Sequence, residues 1–157
     1  MRIVVVAVGR VRGPLATAVE TFEERARRYW KLETAEVDEG AGGGGASPER
    51  ILEAEGERIL ARIPDEGEVW ALTRAGKGIT SRGLSRFLER QAVQARQGVC
   101  FVLGGAYGLA PVALSRATRR LSLSPMTLPH DVARLILLEQ LYRAGTIRRG
   151  EPYHKGP

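Results

Sequence analysis

The segment Ile3–Val8 reads Ile-Val-Val-Val-Ala-Val, an apolar and mostly β-branched run with no polar residue in it. A strand of this kind has no face to offer water and must be covered on both sides. That requirement argues against a half-solvated antiparallel sheet and points to a parallel sheet between two layers of helix. The run is far too short to cross a bilayer. Met1 leads straight into it without a basic stretch or a small-residue cleavage site, so no secretory leader is expected.

The remaining chain alternates short apolar runs with helical patterns. Leu15, Val19, Phe22, Ala26 and Tyr29 are spaced by three and four, one stripe of an amphipathic helix. Pro14 sits where a first turn tolerates proline. Leu32–Val37 reads as a weaker strand, and Glu39–Ala46 as a glycine-rich loop. Ser47 and Pro48 open a second helix, as cap and first-turn proline, running to about Ile63. Glu68–Thr73 is a third strand, followed by a turn at Arg74–Gly78 and a helix over Ser81–Arg96. Val99–Leu103 is a fourth strand, Pro111–Arg119 a short helix, and Leu121–Leu123 a short strand. Asp131 is expected to cap a last helix to about Ile147, leaving Gly150–Pro157 as a polar, solvated tail. The expected fold class is therefore α/β, a parallel sheet with helices on both faces, in a single domain over residues 1–157.

The last helix is apolar around most of its circumference, with Val132, Leu135, Ile136, Leu137, Leu138, Leu141 and Tyr142. A chain of 157 residues has little room to bury such a helix. A homodimer interface is the expected outlet, with burial inside one subunit as the alternative.

Charge divides the chain. Residues 1–78 hold 12 Lys and Arg against 14 Asp and Glu, a net −2, whereas residues 79–157 hold 12 against 4, a net +8. Only Lys31, Lys77 and Lys155 are lysines; the other basic residues are arginines, which fork onto phosphate and stack on bases. A basic half suits a polyanionic partner such as RNA. The lone Cys100 excludes an internal disulfide and a cysteine zinc cluster. No carboxylate pair, serine elbow or metal-ligand cluster is visible, so hydrolytic and metal-dependent chemistry finds no support, and neither metal nor membrane is expected.

Open α/β sheets bind ligands beyond the carboxyl ends of their strands. Three segments fall there. Gly104-Gly105-Ala106-Tyr107-Gly108 follows the fourth strand, where glycines admit a ligand close to the backbone or simply make a tight turn. Leu123-Ser124-Pro125-Met126-Thr127-Leu128-Pro129-His130 is a stiff connection whose prolines leave carbonyls and a few amides free to read a base edge. Glu68–Lys77 places Leu72 at a strand end and Lys77 between glycines. The tail interleaves Tyr153, His154 and Lys155 behind Arg143, Arg148 and Arg149, a composition able to stack a base and hold phosphates.

The order of these motifs resembles the RlmH family of pseudouridine N3-methyltransferases, in the SPOUT superfamily. The residues that carry the resemblance are Val4–Gly9, Glu55-Gly56-Glu57-Arg58-Ile59-Leu60 and Leu103-Gly104-Gly105 with Gly108-Leu109. Met126–His130, Glu139–Ala144 and Tyr153-His154-Lys155 complete it, so that it spans essentially the whole chain. It implies a C-terminal trefoil knot, a homodimer, and S-adenosyl-L-methionine bound at the knot beside the partner subunit. It carries cofactor contacts onto Leu72, Gly104, Leu123, Ser124, Pro125, Met126, Thr127 and Leu128. Arg143, Tyr153 and His154 match positions that face the target nucleotide. The implied substrate is a pseudouridine in helix 69 of the large-subunit ribosomal RNA, methylated in the cytoplasm on the assembled ribosome. Family members often carry an acidic residue after the leucine at Leu72, where this chain has Thr73 and Arg74. A non-catalytic ribosome-binding or RNA-binding factor with the same fold is the competing expectation.

Overall fold

The computed structural model describes residues 1–94 and 97–155, and of His154 the backbone alone. The Ile3–Val8 run lies in strand β1 (Arg2–Val8), buried along its length at an interior position, second from one edge, of a five-stranded sheet. With β2 (Lys31–Val37), β3 (Glu68–Lys77), β4 (Val99–Leu103) and β5 (Arg119–Leu121) it forms the order β2-β1-β4-β3-β5, every pairing parallel. Ile3, Val5 and Ala7 point into one core and Val4, Val6 and Val8 into the other, the two-residue period of a strand covered on both faces.

Helices α1 (Leu15–Arg27), α3 (Ser81–Val93) and α5 (His130–Arg148) cover the first face. Helices α2 (Pro48–Leu60) and α4 (Pro111–Arg116) cover the second. Ser47 caps α2 as its sequence suggests, its hydroxyl accepting from the Arg50 amide at 3.3 Å. Thr80 does the same for α3, accepting from the Gly83 amide at 3.0 Å.

Helix α5 finds cover inside the chain, which alters the basis for expecting an interface there. Leu137, Leu138, Leu141 and Ala144 are fully buried, and the helix packs between α1 and α3. The Trp30 indole donates to the Leu141 carbonyl at 2.8 Å and the Ser85 hydroxyl to that of Ala144 at 2.9 Å. A Cβ on Gly145 would come within 2.3 Å of the Tyr29 ring, so glycine lets helix and ring meet. Leu135, Ile136 and Tyr142 stay half-buried.

Several boundaries differ from the sequence reading. Strand β3 does not end at Thr73 in a turn; Leu121 pairs with both Leu72 and Lys77, so residues between them bulge out and the chain rejoins the ladder. Strand β5 begins earlier, because Thr118 pins it, its hydroxyl accepting from the Val69 amide and donating to the Val69 carbonyl. Asp131 does not cap α5. The helix starts at His130 after Pro129, and the Asp131 carboxylate accepts from the neighbouring Val132 amide. Helix α3 ends at Val93; the expected end at Arg96 lies outside the described residues. Among the described residues of the tail, Pro152–His154 makes a 3₁₀ turn against α5 with Glu151 and Tyr153 half-buried, while Gly150, Pro152 and Lys155 are exposed.

Candidate functional site

The carboxyl ends of β3 and β4 and the start of α5 enclose a cleft of about 770 Å³. This size lies within the usual range for small-molecule sites. Leu72, just before the β3 bulge, and Leu103, the last residue of β4, line it together with the Gly104–Gly108 turn and with Thr127, Leu128 and His130. The cleft lies beyond the strands' carboxyl ends, where α/β sheets bind their ligands.

Sterics set the shape of the glycine turn. A Cβ on Gly104 would stand 2.3 Å from the Gly108 carbonyl oxygen, and one on Gly105 would stand 2.9 Å from Val8 Cγ1. The Gly108 amide donates to the Gly105 carbonyl at 3.1 Å, and only Gly108 of the three takes a left-handed φ, +81°. The result is a wall made of main chain, with amides and carbonyls close to anything the cleft holds.

Four of the sequence-derived cofactor residues meet here: Leu72, Gly104, Thr127 and Leu128. Leu123 does not join them, but lines a separate depression with Ile79, Ile136 and Gln140. Ser124, Pro125 and Met126 cross the surface between the two. The Met126 amide donates to the Ser124 hydroxyl at 3.0 Å while the Met126 side chain is 72% exposed.

Arg143 and Tyr153 lie elsewhere. Ala133, the last residue of α5 to line the cleft, stands ten positions before Arg143, about 15 Å along the axis at 1.5 Å per residue. The Arg143 guanidinium grips one Glu139 oxygen through Nε at 3.0 Å and Nη2 at 2.8 Å, and lies 4.9 Å from the centre of the Tyr153 ring. The Tyr153 hydroxyl donates to the same oxygen at 3.1 Å. The other Glu139 oxygen accepts from Gln140, whose own oxygen accepts from the Ser81 hydroxyl. The side chain of His154 lies outside the described residues.

A family model described as "Predicted SPOUT methyltransferase" matches residues 1–154. This chain belongs to the SPOUT methyltransferase family. Among its relatives is the ribosomal RNA large subunit methyltransferase H of Gemmatimonas aurantiaca, 48% identical over 99% of this chain and 100% of that one. Proteins of the same name from Rubrobacter xylanophilus (46%, 98% of each chain) and Clostridioides difficile (42%, 99% and 100%) align as fully. A protein of Haemophilus influenzae described as a "probable methylase family protein" shares the fold at a TM-score of 0.52, with 13% identity over 99% of this chain and 70% of that one. Another, from Neisseria gonorrhoeae, does so at 0.51, with 16% identity over 90% and 80%.

In this SPOUT member several residues at the site lie within the motifs quoted above, which gave them no role. Glu139 holds both Arg143 and Tyr153, and the signal for it was the (i, i+4) spacing of acid before base on one helix face. Burial comes first in raising the Tyr153 phenol above its ordinary value and Glu139 second, so the hydroxyl keeps its proton and donates. Glu55 is buried behind Gly105, and burial pushes its carboxyl up; one of its oxygens has no partner among the described residues. His130 lines the cleft, with Nε2 beside Gly9. Among the described residues no three metal-ligating side chains cluster, and no helix is long and apolar enough to cross a membrane.

Proposed function

We propose that this chain methylates N3 of a pseudouridine, position 1915 in helix 69 of 23S ribosomal RNA, on the assembled ribosome in the cytoplasm. We assign S-adenosyl-L-methionine to the cleft and a knotted homodimer to the working form. One observation carries the reading: the last cleft residue on α5, Ala133, stands ten positions before Arg143, about 15 Å along the helix from an arginine held by a carboxylate, so one subunit does not bring the two together. A twofold-related copy supplies the missing half in each direction.

The cleft suits the proposed cofactor. Leu72, Leu103 and Leu128 give apolar walls for a purine, and the glycine turn, too tight for a Cβ at Gly104 or Gly105, gives main-chain donors and acceptors. Leu123, Ser124, Pro125 and Met126 are assigned to the same binding segment. When bound, S-adenosyl-L-methionine supplies a methyl group made electrophilic by a cationic sulfur.

The chain's own residues do the rest. The walls hold the reactants in line, and alignment of this kind accounts for a large part of many rate enhancements. Arg143, fixed by Glu139, favours the deprotonated imide at N3 by its charge. Tyr153, a phenol kept neutral, donates a hydrogen bond to Glu139 and packs at a tilt against Tyr142, 4.5 Å between ring centres. His154 is assigned to the same face, where an imidazole can carry the proton away. The arginines of the C-terminal half hold phosphates while the base turns out of its stack.

The test is transfer of labelled methyl from S-adenosyl-L-methionine to ribosomes of a strain lacking this protein, with the product mapped by mass spectrometry. One methyl on the pseudouridine N3 is the expected result. Tight ribosome binding without transfer would replace the enzyme by a binding factor.

A further inference from the structure

The β3 bulge carries positive charge in two directions. Its base is fixed, because Leu72 and Lys77 both pair with Leu121, and Gly76 passes so close to β5 that a Cβ there would stand 2.6 Å from the Leu121 carbonyl carbon. Arg74, at the crown of the bulge, lines the cleft. Lys77, at its foot, lines a second groove of about 540 Å³ on the β5 edge of the sheet, together with Trp70, Arg119 and Arg120.

These cations are poorly compensated. Among the described residues no carboxylate comes within 4.0 Å of Arg74, Lys77 or Arg120. Arg119 has one, Glu68 at 3.2 Å, and its guanidinium lies 5.4 Å from the centre of the Trp70 ring and 5.5 Å from that of Phe87. The Trp70 indole donates to the same Glu68 oxygen at 2.9 Å, so ring, acid and guanidinium fix one another while the arginine stays 57% exposed. The opposite edge strand, β2, carries Glu33 and Glu36, each already paired with arginine. Charge on an edge strand guards against strand addition, but either sign serves that purpose. Positive charge on this edge, reaching the cleft lining through Arg74, suits a polyanion.

We propose that the β3–β5 edge, from Arg74 through Lys77 to Arg120 and Arg119, is a track for RNA phosphates flanking the methylated nucleotide. This rests on the reading of the chain as a ribosomal RNA methyltransferase. The pinned arginine and the groove fix the register of the RNA, and the bulge leads its backbone to the mouth of the cleft.

The variant Lys77→Ala/Arg120→Ala, at two exposed positions, tests it against Arg62→Ala/Arg90→Ala, which removes equal charge near the opposite ends of the strands. Binding is measured on ribosomes and on protein-free 23S RNA over a series of salt concentrations. The first variant is expected to lower the slope of log affinity against log salt by roughly 0.7–0.9 for each lost contact. It should also raise KM for ribosomes while kcat and S-adenosyl-L-methionine affinity hold, and the second variant should match the parent. An unchanged slope, an equal loss in both variants, or a loss on ribosomes but not on protein-free RNA would each overturn the track. Wild-type protein that binds RNA with the expected slope but transfers no methyl would overturn the enzymatic reading and leave the track standing.

Discussion

Replacing Gly104 with alanine isolates what the glycine turn does. The new Cβ would stand 2.3 Å from the Gly108 carbonyl oxygen, 2.5 Å from its carbon and 3.0 Å from the Leu109 nitrogen. Ordinary contact begins at 3.4 Å, so the two arms of the turn must part by about 1 Å. All three neighbours are main chain, and no rotamer change relieves them. Gly104 does not have a left-handed φ, so the cost is steric alone and falls in the range of about 1–3 kcal/mol for an overpacked site. Gly108→Ala is the converse case. Its Cβ meets nothing within 4 Å, but its φ of +81° costs an L-residue about 1–2 kcal/mol. Both variants should lower the urea midpoint with the m-value unchanged. Only Gly104→Ala should also widen the cleft wall and weaken calorimetric binding of S-adenosyl-L-methionine by about tenfold, equal to about 1.4 kcal/mol. A shift of this size in a reacting pair slows transfer on the order of 100-fold. A Gly104→Ala protein with the parent's midpoint and affinity would refute the argument.

Three further variants or reagents probe the interior. Trp30→Phe removes the 2.8 Å bond to the Leu141 carbonyl under a fully buried stretch of α5 and should cost about 1–3 kcal/mol in urea unfolding; a change within error would contradict the packing described. Burial pushes the Cys100 thiol up to about 12, so native protein at pH 8 should resist a thiol reagent until denaturant is added. The native state holds that proton more tightly than the unfolded chain, and stability should fall as pH rises from about 9 towards 12. Glu55 follows the same sign in the acid range. Its carboxyl is raised by burial, so the stability it permits is full at low pH and declines as pH climbs past the ordinary carboxylate range. Glu55→Gln should flatten that decline, and parallel pH curves for the two proteins would contradict it.

The layers of the fold were readable because they follow from local periodicity. Ile3–Val8 allowed only a strand covered on both faces, and the three-and-four spacing from Leu15 gave α1 its buried side. What escaped depends on partners distant in sequence. Nothing local to Thr73–Gly76 shows that Leu121 receives β3 twice, and nothing local to Thr118 shows that it anchors β5 to Val69. Helix α5 looks too apolar for a small chain until Trp30, Ser85 and Tyr29 arrive from α1 and α3 and their surroundings to close over it. At the site the end of β4 was legible, that of β3 was not, and the grouping of the segments was only partly so. Leu72, Gly104, Thr127 and Leu128 share the cleft, whereas Leu123 turns into another depression because the chain crosses the surface at Ser124–Met126. The tail reads as solvated by composition, yet Tyr153 is held by Glu139 and Tyr142, fourteen and eleven residues earlier.

The division of the site between two copies is tested by mixed dimers. Leu128→Trp fills the cleft of one subunit, Arg143→Ala removes the arginine of the other, and each variant alone should be inactive as a homodimer. In the heterodimer, isolated by a different tag on each subunit, one intact cleft faces one intact arginine, and about half of the parent's methyl transfer to ribosomes should return. Mixed dimers as inactive as either parent variant would mean that cleft and arginine serve the same subunit, and the account would fail.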